Sequence, residues 1–312
     1  MKKSCAALAF AALTTLSAMS VARAADALVD TAWVAANKDK PGVVLLDIRP
    51  PQAFAEAHIP GAVNSPYGGK AGWRQDKIIG PDKDKDVIRG MLPPTDYLEK
   101  LVSAAGVKAD DHVVVVTDGK DAADIGQATR VYWTLKVMGH EQVSVLNGGQ
   151  RQWAREKSNP LAKGAVTVQA SEYHARPDMR FLATPDDVRA AAGKGLLIDA
   201  RPTDQYLGIN KSGAVTRHGR ITGAASLPGI WTTTDNQGTF RSADEIRALY
   251  AFNKAPMTDG TITYCNTGHW ASLGWFVDHA ILGKANARMY DGSLAEWSRL
   301  DNAPMEAQVK LR

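Results

Sequence analysis

VVLLDIR (43–49) and GLLIDAR (195–201) decide how this sequence folds. Each is a short apolar run ending in Asp-x-Arg. A run without polar alternation is the pattern of a strand buried on both faces of a parallel sheet, with polar groups delivered at its carboxyl end. Two copies in one chain make a repeat, and the surroundings of each copy agree with that. HIPGAVNSPY (58–67) answers RITGAASLPG (220–229), HVVVVTD (112–118) answers TITYC (261–265), and VSVLNGGQRQW (143–153) answers ARMYDGSLAEW (287–297). Trp153 and Trp297 close the two halves. Asp47 and Asp199 lie farther apart than Trp153 and Trp297, so the halves differ in their loops, which tolerate insertions. The second half carries the longer segment after Asp-x-Arg, with LGINKSGAVTRHG (207–219), and the first is longer after its third strand.

Helical patterns lie between the apolar runs. PTDYLEKLVSAAG (94–106) has apolar residues at helical spacing and a glycine stop. TPDDVRAAAG (184–193) opens with a Thr cap, Pro at the first helical position and acids in the first turn. Strands alternating with helices predict an α/β chain of two domains, each a mainly parallel sheet flanked by helices. The segment from 157 to 180 has no clear period and reads as the linker between a first domain at 25–156 and a second at 181–312. Residues 1–24 read as a signal peptide: Lys2 and Lys3, an apolar run from Cys5 to Leu13, and the small-x-small Ala22-Arg23-Ala24. That run is too short to anchor the chain in a bilayer, so a periplasmic location is the expectation. Loss of the leader removes Lys2, Lys3 and Arg23 and no acid. The formal charge of +4 then falls close to neutrality, and no nucleic-acid or membrane partner is implied.

Of the two cysteines, Cys5 leaves with the leader and Cys265 remains, so no internal disulfide is expected. Taken together, LLDIRPPQAFAEAHIPGAVNSPY, LIDARPTDQYLG, a cysteine after a short strand, and YDGSLAEW resemble the rhodanese family. The order of elements resembles the tandem thiosulfate and 3-mercaptopyruvate sulfurtransferases. The resemblance implies two tandem rhodanese-like domains and transfer of a sulfane sulfur. A small donor would pass it to a thiophilic acceptor, cyanide or a thiol, through a persulfide on the second domain's cysteine. It implies no cofactor. An acceptor protein is a further partner to expect if the chain acts as a sulfur carrier or polysulfide binder instead.

Cys265 ends the apolar TITY, and Asn266, Thr267, Gly268, His269, Trp270 and Ala271 follow it. Leu273, Phe276, Val277, Ala280 and Ile281 then fall on one face of a predicted helix. A strand–loop–helix of this kind points successive backbone N–H groups and a helix N-terminus at the sulfur, favouring thiolate over thiol. Gly268 is expected to permit close backbone approach or a positive φ. In the first half the matching strand is read as ending at Asp118, so Asp118 stands at the cysteine position and that domain is expected to be silent.

The loop departs from the resemblance in its charge. Thiosulfate-type relatives carry basic residues after the cysteine, where this chain has Asn266 and Thr267. An arginine is usual four residues beyond the Asp-x-Arg arginine, where Arg201 is followed by Gln205. Arg217, His218 and Arg220 stand as replacements, against a plain solvated basic loop. His269 is read as a cation or proton donor near the sulfur, or as a bystander whose N–H alone matters. Trp270 is read as a pocket wall or as packing. Arg201, whose Asp-x-Arg recurs in the silent half, is a substrate contact or, more simply, a structural anchor. A phosphatase loop would need an arginine where Ala271 stands, and Cys265 to Leu282 contains no Arg or Lys. Thiol–disulfide exchange lacks a second cysteine, and the seven histidines show no metal-ligand spacing with Cys265.

Overall fold

The computed structural model describes residues 26–69, 72–82 and 86–311. The leader expected at 1–24 lies outside them. In the first half the order is β1 (Leu28–Val29), α1 (Thr31–Asn37), β2 (Val43–Asp47), α2 (Pro51–Glu56), β3 (Val63–Asn64), β4 (Gln75–Ile78), β5 (Val87–Met91), α3 (Thr95–Ala104), β6 (His112–Val116), α4 (Ala122–Val137), β7 (Val143–Leu146) and α5 (Gly149–Arg155). The second half runs α6 (Pro185–Ala191), β8 (Leu197–Asp199), α7 (Thr203–Leu207), β9 (Arg220–Ile221), β10 (Ala225–Ser226), α8 (Ala243–Asn253), β11 (Ile262–Tyr264), α9 (His269–Phe276), β12 (Arg288–Met289), α10 (Ser293–Trp297) and β13 (Met305–Glu306).

Each half builds a parallel sheet, in the order β1-β7-β6-β2-β3 in the first and β10-β8-β11-β12 in the second. The shared part of the two orders is the same, with β2 answering β8 and β6 answering β11. The Asp-x-Arg strands are central and fully covered, which is why they read as unbroken apolar runs. Trp153 and Trp297 are both fully buried, and their indole N–H groups donate to Pro160 O and Pro304 O. β4 and β5 form a separate antiparallel hairpin.

Local signals hold where they are strong. Thr184 caps α6 by accepting from the Asp187 N–H, while the Asp187 carboxylate accepts from the Thr184 N–H. The segment 157–178 contains no helix or strand, yet it is strapped to the first domain. Ala162 pairs with His58, Tyr173 is buried against His140, and the Ala175 N–H donates to Glu99. It lacks a period because its partners lie on other elements.

The two halves share one core. Tyr132 of α4 meets Trp275 and Phe276 of α9, with Phe181 packed on Trp275 and Phe240 on Phe276. The helices approach closely where Gly126 lies against His269 and where Thr129 Oγ1 meets Ser272 Oγ at 3.0 Å. This corrects the single apolar face expected around Leu273–Ile281. α9 is buried from Ala271 to Phe276 on every side, with its own sheet behind it and the other domain in front. It ends at Phe276, and Val277–Ile281 continues as a π turn.

Candidate active site

The Asp-x-Arg pairs set the carboxyl ends of the central strands. Arg201 grips both oxygens of Asp199 and donates to Gly219 O at 2.8 Å; Arg49 does the same with Asp47 and Ala57 O at 2.8 Å. Both partners of the second pair are fully buried. Identical use in both halves makes Arg201 an anchor for the chain entering the next strand, and the reading of it as a substrate contact is corrected. Arg220 is likewise not available to a donor. It pairs with Glu306 at 2.9 Å and covers the Tyr206 ring. Arg217 donates to the carbonyls of Trp297, Ser298 and Ala303, and His218 bonds Gly208 O. The inserted segment is thus a brace across the domain's end rather than a solvated basic loop.

Strand register locates the cysteine. Asp199 pairs with Tyr264, so Cys265 is the next residue out; Asp47 pairs with Val116, so Thr117 is its counterpart. The loops agree, because Leu294 N donates to Cys265 O and Gln150 N donates to Thr117 O. Thr117, not Asp118, therefore stands at the cysteine position. Asp118 matches Asn266 and pairs with Arg151. The first domain still presents no thiol there.

Cys265 is 1% exposed. Asn266 Nδ2 donates to Gln205 Oε1 at 2.9 Å, so Gln205 steadies the loop instead of lining the cleft as a ligand. Gly268 has φ +77°, and a Cβ there would meet Arg130 Nη1 at 2.5 Å and Asp291 Oδ1 at 2.7 Å, so the positive φ and the close approach both hold. Ser293, not singled out from the sequence, ties the loop's two ends. Its Oγ accepts from the N–H of Cys265 at 3.1 Å and of Gly268 at 3.2 Å, and lies 4.0 Å from Cys265 Sγ. Among the described residues the backbone N–H groups of Asn266, Thr267, His269, Trp270 and Ala271 bond no protein acceptor, which leaves five open donors in the loop and helix start that follow the cysteine.

Ser293 holds φ +48°, where its counterpart in the silent half, Gly149, holds +57°. A serine at a position fit for glycine is strained, and such strain collects at functional sites. Ser293→Ala leaves two buried N–H groups without an acceptor, so denaturant unfolding should show a loss of about 1–3 kcal/mol. Ser293→Gly, which relieves the backbone, should lose less. An unchanged midpoint for the alanine variant would overturn the tie.

The other domain completes the wall. Arg130 of α4 pairs with Asp291 at 2.5 Å, both buried, and donates to Gly268 O and Gly90 O. Asp291 in turn accepts from Leu92 N at 2.7 Å. His269 Nε2 bonds Ala123 O at 2.8 Å and must donate to it. Nδ1 is left to accept from the Tyr67 hydroxyl at 3.3 Å. Burial, then the nearby Arg74 guanidinium, presses its pKa to about 4. His269 is therefore neutral and bonded across the domains, which corrects the reading of it as a cation beside the sulfur. Trp270 packs over Gly229, edge-on to His269, as packing rather than as a wall of the cleft. Burial raises the Tyr67 phenol, which keeps its proton.

A cleft of about 380 Å³ opens onto Thr267 and is otherwise lined by first-domain residues, including Tyr67, Arg74, Asp76, Arg89 and Gly90. A larger, mostly apolar hollow of about 510 Å³ between Pro93, Leu182 and Tyr290 includes no residue of the Cys265 loop. Nearness to the thiol favours the first as the reaction site. Among the described residues no group of three or more His, Cys, Asp or Glu would hold a metal ion, and no helix is long and apolar enough to cross a membrane.

The rhodanese-like domain model matches residues 30–156 and 184–300. A relative from Haloferax volcanii, provisionally named a thiosulfate sulfurtransferase, is 32% identical over 296 residues, covering 91% of this chain and 97% of its own. One from Mycolicibacterium smegmatis with the same provisional name is 32% identical, covering 90% and 98%. The crystal structure of SseA from Escherichia coli, described as a 3-mercaptopyruvate sulfotransferase, matches with a TM-score of 0.68 at 25% identity, covering 86% of this chain and 99% of that one.

Proposed function

The chain belongs to the rhodanese family, and from that premise we propose that it is a sulfurtransferase working through a persulfide on Cys265. The observation that carries the reading is a buried thiol at the end of the central strand β11, with five unbonded backbone N–H groups in the loop and helix start that follow it. The Cys265 thiolate attacks the outer sulfur of the donor. A sulfur–sulfur bond forms at the enzyme as the donor's bond to that sulfur breaks. Thiosulfate leaves as sulfite with the bonding pair; 3-mercaptopyruvate leaves as pyruvate enolate, which takes up a proton. The terminal sulfur of the persulfide carries the negative charge, and preorganised N–H donors are suited to hold it, each such donor being worth roughly a hundredfold in rate or more. Cyanide or a thiol then attacks that sulfur and returns the thiolate. The burial of Cys265 favours small donors and acceptors over direct delivery to a bulky partner. The leader would place this chemistry in the periplasm.

Cys265→Ser decides the matter. The parent should gain the mass of one sulfur on incubation with a donor and form thiocyanate from cyanide, and the variant should do neither. The reading fails if the variant still turns over, or if the parent takes up no sulfur from thiosulfate, 3-mercaptopyruvate or polysulfide.

A further inference from the structure

The Cys265 loop carries no cation, and every candidate in the second domain is committed elsewhere: Arg201 to Asp199, Arg220 to Glu306, and Arg217 to backbone carbonyls. An anionic donor would meet little positive charge from that side. The first domain differs. Three of its arginines reach the seam, and their partners separate them. Arg130 is buried and neutralised by Asp291. Arg89 is paired with Asp76 at 3.1 Å and largely exposed. Arg74 has no ion pair among the described residues.

Arg74 is nonetheless held in place. It stands at the start of the β4–β5 hairpin, and its guanidinium carbon lies 5.0 Å from the centre of the Tyr67 ring. Gly90 on β5 makes the space for it. A Cβ at Gly90 would come within 2.8 Å of Arg74 Nη1 and 3.1 Å of Cζ, and the backbone there has φ +73°. Asp76, the one acid among the described residues that line the cleft, faces Arg89 and the Gly90 N–H. The floor beside Arg74 is Thr267, two residues from the thiol, and the Tyr67 hydroxyl is tied to His269. Among the described residues the cleft therefore contains one uncommitted, positioned guanidinium, a planar fork suited to two oxygens of a sulfonate or carboxylate.

We propose that Arg74 of the non-catalytic domain is the anchor for the anionic end of the sulfur donor, so that donor specificity is set in one domain and chemistry in the other. This rests on the sulfurtransferase reading for the donor's identity. The class of ligand is a small anion with a sulfonate- or carboxylate-like head, bound with its sulfur toward Thr267 and Cys265. The hairpin replaces the charge that is missing at Gln205, Asn266 and Thr267.

Binding is separated from chemistry in the Cys265→Ser chain titrated with thiosulfate by calorimetry. Adding Arg74→Ala should weaken binding roughly tenfold or more, the loss of a charged hydrogen-bonded contact. Arg74→Lys should recover part of it, since the charge remains without the fork. Arg155→Ala removes the same charge at an exposed position of α5 away from the cleft and should change nothing. In the active chain Arg74→Ala should raise the KM for thiosulfate by a similar factor with little change in kcat. Discharge of a preformed persulfide by cyanide should be unaffected. The proposal is overturned if Cys265→Ser binds no thiosulfate, if Arg74→Ala binds it as well as its parent, or if the variant loses kcat at unchanged KM. Sulfuration of Cys265 with no effect of Arg74→Ala would sink the anchor alone. An Arg74-dependent anion site on a chain that never becomes sulfurated would keep the site and sink the transferase.

Discussion

Replacing Asp199 by alanine should destabilise the second domain by about 3–5 kcal/mol, the usual result of leaving one member of a buried ion pair alone. The carboxylate is fully buried and serves four donors: the Arg201 N–H, Nε and Nη2, and the Tyr264 hydroxyl at 3.0 Å. Without it the Arg201 guanidinium keeps a single bond, to Gly219 O, because Nη1 already has no partner. A buried charge in that state costs more than the strand can recover by repacking. The loss is a large share of a typical stability of 5–15 kcal/mol. Thermal and denaturant unfolding measure it directly. A substrate-binding arginine would predict something different, a folded variant with a raised KM. A well-folded Asp199→Ala with an unchanged midpoint would return Arg201 to the list of donor contacts. Asp47→Ala, in the domain without the cysteine, should be destabilised for the same reason.

The Asp-x-Arg anchors were legible because both partners lie two residues apart and the motif occurs twice. The duplication, the alternation of strands and helices and the cysteine at the end of an apolar run were legible for similar local reasons. The position of Thr117 was not. HVVVVTD is buried on both faces, so no alternation marks where the strand stops, and only its pairing with β2 fixes the register. Ser293 did leave a signal, in the comparison of LNGGQ with YDGSL. Glycine occupies the left-handed position in one half and serine in the other. Tyr67, Arg74 and Arg130 left none, because they belong to the opposite half of the repeat: Tyr67 and Arg74 line the cleft, and Arg130 of α4 meets Gly268 and Asp291 across the seam. The sequence leaves His269 open between a charge beside the sulfur and a bystander, because nothing in its neighbours' identities reveals Ala123 O across the interface.

Gly268→Ala is expected to abolish most transfer while both domains stay folded. Two costs arise at this residue and they separate cleanly. A left-handed φ on an alanine costs roughly 1–2 kcal/mol, and Gly268 has φ +77°. The added Cβ would also stand 2.5 Å from Arg130 Nη1, 2.7 Å from Asp291 Oδ1 and 2.9 Å from Asp291 O. None of these can withdraw easily. Arg130 is packed over the Trp133 ring at 4.7 Å, and Asp291 is held by Leu92 N. The loop must therefore move, and with it the Gly268 N–H on Ser293 Oγ and the open amides beyond it. A displacement of about 1 Å in a positioned site is enough to cost a hundredfold in rate, so kcat/KM for sulfur transfer should fall by at least that factor. Gly283→Ala supplies the control. Its φ is +74° and nothing lies within 4 Å of its missing Cβ, so it carries the backbone cost without the collision. It should lose a similar amount of stability to strain and retain activity. Equal activity losses in the two variants would mean that backbone strain alone acts, and that Arg130 and Asp291 do not hold the loop in its working shape.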